Sequence, residues 1–345
     1  MKKLSLALLL ITFVISLSAQ KKTYKIACVG FYNLENLFDT IDNPNKNDEQ
    51  FLPDGEYNWN SEKYLTKLEH MAYVITQVGD EYVKGGPAVL GVSEVENIDV
   101  LEDLCATPLM AASNYATILV EGPDRRGVDV GLLYRKDLFT VLSYSSHTLT
   151  VEGYDDFYTR DQLLVSGILD GDTLHFIVGH WPSRRGGEKR SAPLREAAAQ
   201  LSRSIVDSIL AVNSEAKIFI MGDFNDNPSD ESVKKHLNAA AKEKDASVTK
   251  LFNPMYKMYK TDGLGSHAYR DHWSLFDQIV ISEGLLGDDM TSFKKYQTRI
   301  FNRNFLLQKE GSFSGYPFRF LVGSTYMGGY SDHFPVYMFL IKEKE

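Results

Sequence analysis

The chain has 345 residues, of which 43% are hydrophobic and 24% charged, and its formal net charge is −9 at pH 7. Such values are typical of an ordinary globular protein with a large core. The acidic balance excludes attraction of a polyanion by bulk positive charge, so any phosphate-bearing substrate must be held by local cations or a metal. The sequence contains neither a Pro- or Ser-rich linker nor an internal repeat, and we predict one α/β domain over residues 20–345.

The first residues are typical of a secretory signal peptide. Lys2 and Lys3 precede an apolar run over residues 4–17, and small residues follow up to Ala19. We predict cleavage after Ala19 and export to the periplasm or the medium. Loss of residues 1–19 removes two positive charges and changes the net charge from −9 to −11. The alternative is an N-terminal membrane anchor, although the apolar run is short for a membrane span.

The two cysteines, Cys28 and Cys105, could form a disulfide in an oxidising compartment. Cys28 lies in a predicted buried strand, where a thiol behaves as a small apolar side chain. We therefore predict two free, buried thiols.

Strand-like apolar runs alternate with turn signals through most of the chain. The clearest predicted strands are residues 24–30, 88–92, 128–134, 163–169, 174–178, 217–221, 276–281 and 336–341. Helical periodicity predicts helices over residues 61–83 and 192–212, with Ser61 as the N-cap of the first and Pro193 in the first turn of the second. The polar stretches 39–60 and 288–315 are predicted to be long surface loops.

The arrangement of these elements predicts the fold class. The strands between residues 128 and 180 follow one another after short turns, which indicates antiparallel hairpins, whereas longer helical insertions lie near both ends. We predict an α/β sandwich in which two β-sheets pack face to face with helices outside.

The motif Gly222-Asp223-Phe224-Asn225 directly follows the buried apolar run 218–221. Asp223 and Asn225 are two positions apart, so both side chains point to the same side while the backbone is extended. A carboxylate beside an amide is a pair suited to holding and deprotonating a water molecule. Turn chemistry is the alternative explanation for the same residues.

Other polar side chains stand at the ends of predicted strands, where catalytic groups commonly converge. They are Asn33, Glu94, His180, Asp332 and His333. Each alone could be a turn former or a solvated strand end. Asp277 is different because it lies within a buried strand, where an unpaired carboxylate is costly, and we predict a histidine as its partner.

The types of these residues predict a site for a hard cation. Glu94, Asn33 and Asp332 offer oxygen ligands and the sequence has no Cys–His cluster, which favours Mg²⁺, Mn²⁺ or Ca²⁺ over zinc. We expect the histidines, with carboxylate partners, to be fixed cationic donors for a phosphoryl transition state. Arg184 and Arg185 could grip phosphate, or they could form a charged surface turn.

Taken together, these motifs resemble the endonuclease/exonuclease/phosphatase (deoxyribonuclease I-like) superfamily over nearly the whole mature chain. The motifs that carry the resemblance are Phe31-Tyr32-Asn33, Ser93-Glu94, Gly179-His180, Gly222-Asp223-Phe224-Asn225, Phe276-Asp277 and Ser331-Asp332-His333. The resemblance implies a four-layer α/β sandwich with two mixed β-sheets. It also implies that Glu94 binds the essential divalent cation, with Asn33 and Asp332 as further ligands.

The resemblance further implies the catalytic roles. Asp223 would orient or deprotonate the attacking water, and Asn225 would position the phosphate and the nucleophile. His333 would be paired with Asp277. His180 would be the second histidine, which Asp129 would orient.

The substrate stays open between classes. We expect a nuclease acting on DNA or RNA as a monomer, with Arg126, Arg184 and Arg185 contacting the substrate. The alternative is a phosphatase or phosphodiesterase of a small or lipid phosphate ester, and a remote one is an inactive binding protein on the same fold. We expect no stable membrane insertion, because no apolar hairpin rich in Trp or Phe stands out as a membrane-docking loop.

Overall fold

The structure, a computed structural model, describes residues 22–154 and 156–344. The predicted signal peptide, residues 1–19, lies outside these ranges. In chain order the strands are β1 (Tyr24–Leu37), β2 (Val89–Val95), β3 (Tyr115–Leu119), β4 (Asp129–Arg135), β5 (Phe139–His147), β6 (Gln162–Leu169), β7 (Asp172–His180), β8 (Lys217–Asp223), β9 (Ala239–Ala240), β10 (Leu251–Phe252), β11 (His267–Tyr269), β12 (His272–Ser274), β13 (Asp277–Ile281), β14 (Lys294–Ile300), β15 (Leu321–Val322), β16 (Thr325–Tyr326) and β17 (Val336–Glu343).

The helices occupy the connections between these strands. They are α1 (Ser61–Gln77), α2 (Ile98–Ala106), α3 (Pro108–Ala112), α4 (Glu188–Val212) and α5 (Met255–Lys260), with short 3₁₀ turns at Glu49–Phe51, Glu243–Asp245, Glu283–Leu285 and Asn304–Leu306 and a π turn at Ser232–His236. Within the described ranges, no helix combines the length and the apolar character that a membrane crossing requires.

Two large mixed sheets form the centre of the molecule. The first has the strand order β14-β17-β1-β2-β4-β3 and the second the order β5-β6-β7-β8-β13-β10-β9. Alternate residues of each strand face the other sheet, as in Val29 and Phe31 of β1, and they meet Phe176, Phe219 and their neighbours in one apolar layer. The outer faces pack against α1 and α2 on one side and α4 on the other. The predicted four-layer α/β sandwich is confirmed.

Both predicted helices exist, but their boundaries differ from the prediction. The side chain of Asn60, rather than Ser61, caps α1 by accepting from the Lys63 amide, and α1 already ends at Gln77. Helix α4 begins at Glu188, ahead of its apolar stripe, so Pro193 lies inside the helix and not in its first turn.

The two predicted loops are more ordered than their polarity suggests. Residues 288–315 contain β14, an antiparallel edge strand on β17, whose partly exposed positions accept polar side chains and so hide the strand pattern. Residues 39–60 contain the buried aromatic side chains Phe51 and Trp59. Both cysteines are free, as predicted, with Cys28 buried and Cys105 half-buried.

Strand register brings the predicted site residues to one end of the sandwich. In the second sheet, β7 runs parallel to β8 with His180 opposite Asp223, and β8 runs antiparallel to β13 with Asp223 opposite Asp277. In the first sheet, β1 runs parallel to β2 with Asn33 opposite Ser93, next to Glu94. The neighbouring strands β7, β8 and β13 of the second sheet therefore present His180, Asp223 and Asp277 side by side.

A close backbone approach between β7 and β8 generates the first prediction. A Cβ atom at Gly222 would lie 1.9 Å from the carbonyl oxygen of Gly179, so Gly222→Ala must push two central strands apart. We expect it to lower the free energy of unfolding in urea by about 3 kcal/mol or more. Gly91→Ala is the matched control: its new Cβ meets the side-chain ends of Met221 and Val178 at 3.0 and 3.1 Å, which can shift, so we expect a loss of about 1 kcal/mol. Equal losses in the two variants would contradict this reading of the strand contact.

Candidate active site

Asp223 lies at the centre of the polar cluster and is almost fully buried, with 2% of its surface exposed. Its Oδ1 accepts a hydrogen bond from the backbone amide of Asn225 at 2.9 Å. Asn225 adopts a left-handed backbone (φ 50°), which Asn tolerates well, and its side-chain amide donates to the Trp181 carbonyl at 3.1 Å. Phe224, which lies between Asp223 and Asn225 in the sequence, stacks on the Trp181 ring with the ring centroids 4.1 Å apart. The turn after β8 is thus fixed on both sides.

Asn33 connects the first sheet to this carboxylate. Its Nδ2 donates to Asp223 Oδ2 at 3.1 Å, and its Oδ1 accepts from the Glu35 amide at 2.9 Å. The carbonyl of Asn33 accepts from the Ser331 hydroxyl at 2.7 Å, which holds the segment that carries Asp332 and His333. One buried side chain therefore sets the position of Asp223 relative to the other sheet.

The predicted pairing of Asp277 with a histidine is confirmed as a contact. His333 Nδ1 lies 2.6 Å from Asp277 Oδ2, which also accepts from the Ser266 hydroxyl at 2.5 Å. His333 Nε2 points toward Asp223 Oδ2 at 3.9 Å. Burial alone would lower the pKa of His333, but the carboxylates of Asp277 and Asp332 outweigh it and raise the pKa well above its ordinary value. The two carboxylates therefore favour the protonated form of His333.

His180 faces the same carboxylate from the opposite side. Its Nε2 lies 3.6 Å from Asp223 Oδ2 and 4.0 Å from Glu94 Oε1. Burial and the guanidinium groups of Arg160 and Arg126 hold the pKa of His180 well below its ordinary value. This direction is opposite to the one expected for a cationic donor, because burial and the nearby guanidinium groups both disfavour the charged ring.

Asp129 does not contact His180 in the way that the resemblance implies. Its Oδ1 accepts instead from the amide of Gly122 at 2.9 Å, and burial raises the pKa of Asp129 to about 7. Among the described residues, His180 Nδ1 is buried and has no hydrogen-bond partner.

Asp161 is a buried carboxylate directly before β6, the strand next to that of His180, and the sequence pattern does not reveal it. Strands β6 and β7 are antiparallel with Leu163 opposite Val178, and the same register continued by two residues sets Asp161 opposite His180. Asp161 Oδ2 accepts from the Ser146 hydroxyl at 2.7 Å, and its Oδ1 is buried without a partner within the described ranges. Asp161 therefore lies next to the strand end that carries His180, but its hydrogen bonds are with the Ser146 and Thr148 hydroxyls and not with the imidazole.

Glu94 owes its position to an interruption of the strand. The pairing of β2 with β4 shifts register between Ser93 and Val95, and Glu94 takes a left-handed backbone (φ 58°). Such a conformation is unfavourable for Glu and is typical of functional sites. The carboxylate accepts from the Asn36 amide through Oε2 at 3.1 Å, so its Oε1 faces His180.

Asp332 is held by a charge network that sequence reasoning missed. Its Oδ2 pairs with the guanidinium of Arg319, and its Oδ1 lies 3.9 Å from His333 Nε2. Buried Glu35 accepts from the Phe320 amide at 2.7 Å, next to Arg319, and lies 4.0 Å from the ammonium group of buried Lys67. Glu35 follows Asn33 by two residues in the same motif, which is the one local signal of its involvement.

The arginines predicted to contact substrate differ in their availability. Arg184 donates from Nε to the Asn225 carbonyl at 2.8 Å and pairs with Asp226 and Asp230 at 3.1 and 2.8 Å. These contacts fix the loop that carries Asn225, and they occupy the groups that were expected to grip phosphate. Arg185 is exposed.

Arg126 lies near His180, but it forms an ion pair with Asp124, in which Arg126 Nε is 3.4 Å from Asp124 Oδ1. Arg160, which sequence reasoning missed, is buried, donates to the Trp181 carbonyl at 2.7 Å and also lies 3.4 Å from Asp124. Because Arg160 precedes β6 outside any recognisable motif, only the three-dimensional structure brings it to this site.

The donor set fits a hard divalent cation. The Asn36 amide binds Glu94 Oε2 and Arg319 pairs with Asp332 Oδ2, which leaves Glu94 Oε1 and Asp332 Oδ1 as possible metal ligands. Asn33 Oδ1 keeps one lone pair beside its bond to the Glu35 amide. Other ligand-type atoms lie within 4.8 Å of one another in two groups of described residues: Asp223, Asp277 and His333, and His267, Asp332 and His333. Glu94 belongs to neither group, and the Nδ1 of His333 is already paired with Asp277.

Comparison with known proteins gives one family match. The model described as endonuclease/exonuclease/phosphatase family matches residues 28–342. No curated protein sequence matches the chain.

Several solved structures share the fold. Truncated TDP2 of Caenorhabditis elegans has a TM-score of 0.55 and 15% identity, over 91% of this chain and 97% of that chain. TDP2 of D. rerio, complexed with a single-strand DNA product, has a TM-score of 0.52 and 14% identity, over 91% and 98%. A mannosyl-6-phosphatase of Bacteroides thetaiotaomicron has a TM-score of 0.52 and 17% identity, over 91% and 99%. At these identities the likeness shows the fold alone.

The charge on His333 can be measured directly. In metal-free protein we expect an NMR titration to find the His333 imidazole still protonated above pH 7, because Asp277 and Asp332 stabilise the cation. Asp277→Asn removes the closer negative charge while keeping a hydrogen-bonding side chain, so the pKa should fall. Asp262→Asn, at an exposed position, is the control and should leave it unchanged. An unaltered pKa in Asp277→Asn would contradict the assigned pairing.

Proposed function

The chain belongs to the endonuclease/exonuclease/phosphatase family and is a phosphoester hydrolase, and we propose that it is a nuclease that cleaves phosphodiester bonds with the help of a divalent cation. The observation that carries this proposal is the environment of Asp223. One buried carboxylate receives Asn33 from one sheet and the Asn225 amide from its own turn, and lies within 4 Å of two histidine rings.

Asp223 has the properties of a general base for water. Burial raises the pKa of this carboxyl to about 7, which is near the pH at which a general base works best. Its two hydrogen bonds fix the direction of its oxygens, so much of the rate gain would come from positioning. Asn225, held by Trp181, would orient the phosphate beside it.

The two histidines differ in charge and therefore in role. Cationic His333 can donate a hydrogen bond to an oxygen on which negative charge develops. Neutral His180 can accept or relay a proton at the same site. Environments that push two pKa values apart are typical of acid–base pairs in active sites.

The metal would be held by Glu94 and Asp332, with Asn33 beside them. When bound, such a cation supplies Lewis-acid stabilisation of a phosphoryl oxygen. Arg319 keeps Asp332 in place, and Glu35 fixes the backbone next to Arg319. Positively charged neighbours of this kind also limit repulsion among the clustered carboxylates.

The choice of nucleic acid over a small ester rests on two supports: the sequence-based expectation, and the DNA product in the D. rerio TDP2 structure of the same fold. A phosphatase or phosphodiesterase of a small phosphate ester is the second candidate. Two observations favour this candidate. The site has two cavities of about 430 and 760 Å³, a size typical for small ligands, and one fold neighbour is a mannosyl-6-phosphatase.

We further propose that the protein is exported through residues 1–19 and acts as a monomer.

Loss of the base or of the cationic histidine should remove most activity. We expect Asp223→Asn and His333→Gln each to lower kcat on a phosphodiester substrate by roughly 10²–10³-fold, because each contact acts on the transition state. His175→Gln, at a half-buried histidine that contacts Ser166 on the outer part of β7, should retain near-normal kcat. Near-normal turnover in either of the first two variants would refute the assignment of these residues.

Removal of the divalent cation should abolish turnover, and added Mg²⁺ or Mn²⁺ should restore it. We expect Glu94→Gln to raise the Mg²⁺ concentration for half-maximal activity by roughly tenfold or more, since it removes a charged ligand. Glu102→Gln, on the exposed side of α2, serves as the control. Full activity in the presence of a chelator would be incompatible with this metal site.

A further inference from the structure

A short hairpin, β11–β12 (residues 267–274, here the ridge), divides the entrance to the active site. Its two-residue tip, Arg270 and Asp271, has left-handed backbone angles (φ 49° and 61°) that are typical of a tight type I′ turn. The tip is also tied down, since the Asp271 amide donates to the Tyr316 hydroxyl at 2.6 Å and that hydroxyl donates back to Asp271 at 2.7 Å. The ridge is therefore a fixed part of the surface.

One cavity lies on each side of the ridge, and both reach the site. The first, of about 430 Å³, is lined by Tyr269, Phe313 and Tyr316 and extends to Asp332. The second, of about 760 Å³, is lined by Trp273, Phe276 and His267 and extends to Asn225. Because Asp332 is a proposed metal ligand and Asn225 the residue proposed to orient the phosphate, each cavity borders the proposed site.

Aromatic rings are unusually exposed around the ridge. Tyr269 is 62% exposed, Phe313 47% and Trp273 37%. The guanidinium of Arg270 lies 5.1 Å from the centre of the Tyr269 ring. Single exposed aromatics are common on protein surfaces, but a cluster in the walls of two cavities beside an active site indicates a binding surface for apolar, planar groups.

The charges near the site argue against affinity from phosphate contacts. Arg184, Arg126 and Arg319 are each paired with a carboxylate. The chain also carries a formal net charge of −9. A nucleic acid could therefore gain little from counterion release. Arg270, at the tip of the ridge, has no carboxylate partner within the described ranges and lines both cavities. Stacking of bases on aromatic side chains, which strengthens binding roughly tenfold or more per base, is then the main source of affinity.

We propose that the ridge separates two base-binding sites, with Tyr269 stacking a base in the first cavity and Trp273 stacking a base in the second. The preferred substrate is then a short single strand, because paired bases in a duplex are not free to enter either cavity. This inference rests on the proposed nuclease activity and specifies its substrate class.

The test compares two strands that differ only in their bases. Oligothymidylate and a strand of equal length made of abasic tetrahydrofuran residues carry the same phosphodiester backbone. We expect the wild-type protein with Mg²⁺ to show a kcat/KM roughly tenfold or more higher on oligothymidylate, mainly through KM. Tyr269→Ala and Trp273→Ala should each reduce this ratio severalfold. Tyr269→Phe, which keeps the ring, should retain the preference, as should Tyr144→Ala on the distant strand β5, where the ring is 57% exposed.

The outcomes separate this inference from the proposed function. Equal cleavage of the two strands by the wild-type protein, or faster cleavage of duplex DNA than of single strands, overturns the base-binding sites and leaves the nuclease proposal standing. Cleavage of neither strand, with hydrolysis of a small ester such as bis(p-nitrophenyl) phosphate, overturns both. A loss of the preference in Tyr144→Ala equal to that in Tyr269→Ala would also overturn the inference, because the effect would then be independent of the ridge.

Discussion

The contact between Asn33 and Asp223 is the constraint on which the rest of the site depends. It is a hydrogen bond of 3.1 Å between β1 of one sheet and the end of β8 in the other, and both side chains are buried. An unpaired carboxylate in this position would be costly, so the amide stabilises the carboxylate and sets the distance between the two sheet edges. Glu94 and His180 then face each other across that gap, and His333 closes it from the C-terminal segment.

The same cluster distributes charge unequally around Asp223. Asp277 and Asp332 raise the pKa of His333, whereas burial and two arginines lower the pKa of His180. The phosphate would therefore meet a cation on one side and a proton acceptor on the other. The net acidity of the chain does not prevent this, because the charges that matter lie within a few ångströms of one buried carboxylate.

How far the sequence predicts this arrangement depends on the range of each interaction. Asp277 was predicted to need a histidine because a buried carboxylate demands a partner, and it lies 2.6 Å from His333. By contrast, Asp161, Arg160 and the charge on His180 depend on strand neighbours, which no local motif encodes. The sequence does not predict strand β14 for a related reason. Polar side chains on this edge strand interrupt the apolar alternation by which a strand is recognised.

A double-mutant cycle on Asn33 and Asp223 tests the central claim most directly, with kcat/KM measured on a single-stranded oligonucleotide at saturating Mg²⁺. If Asn33 acts by holding Asp223, Asn33→Ala should cost much activity in the wild-type background and little more in Asp223→Asn, because the group that it positions is already lost. Losses that multiply in the double variant would mean that the two side chains act independently, and the account of a site organised around this contact would be contradicted.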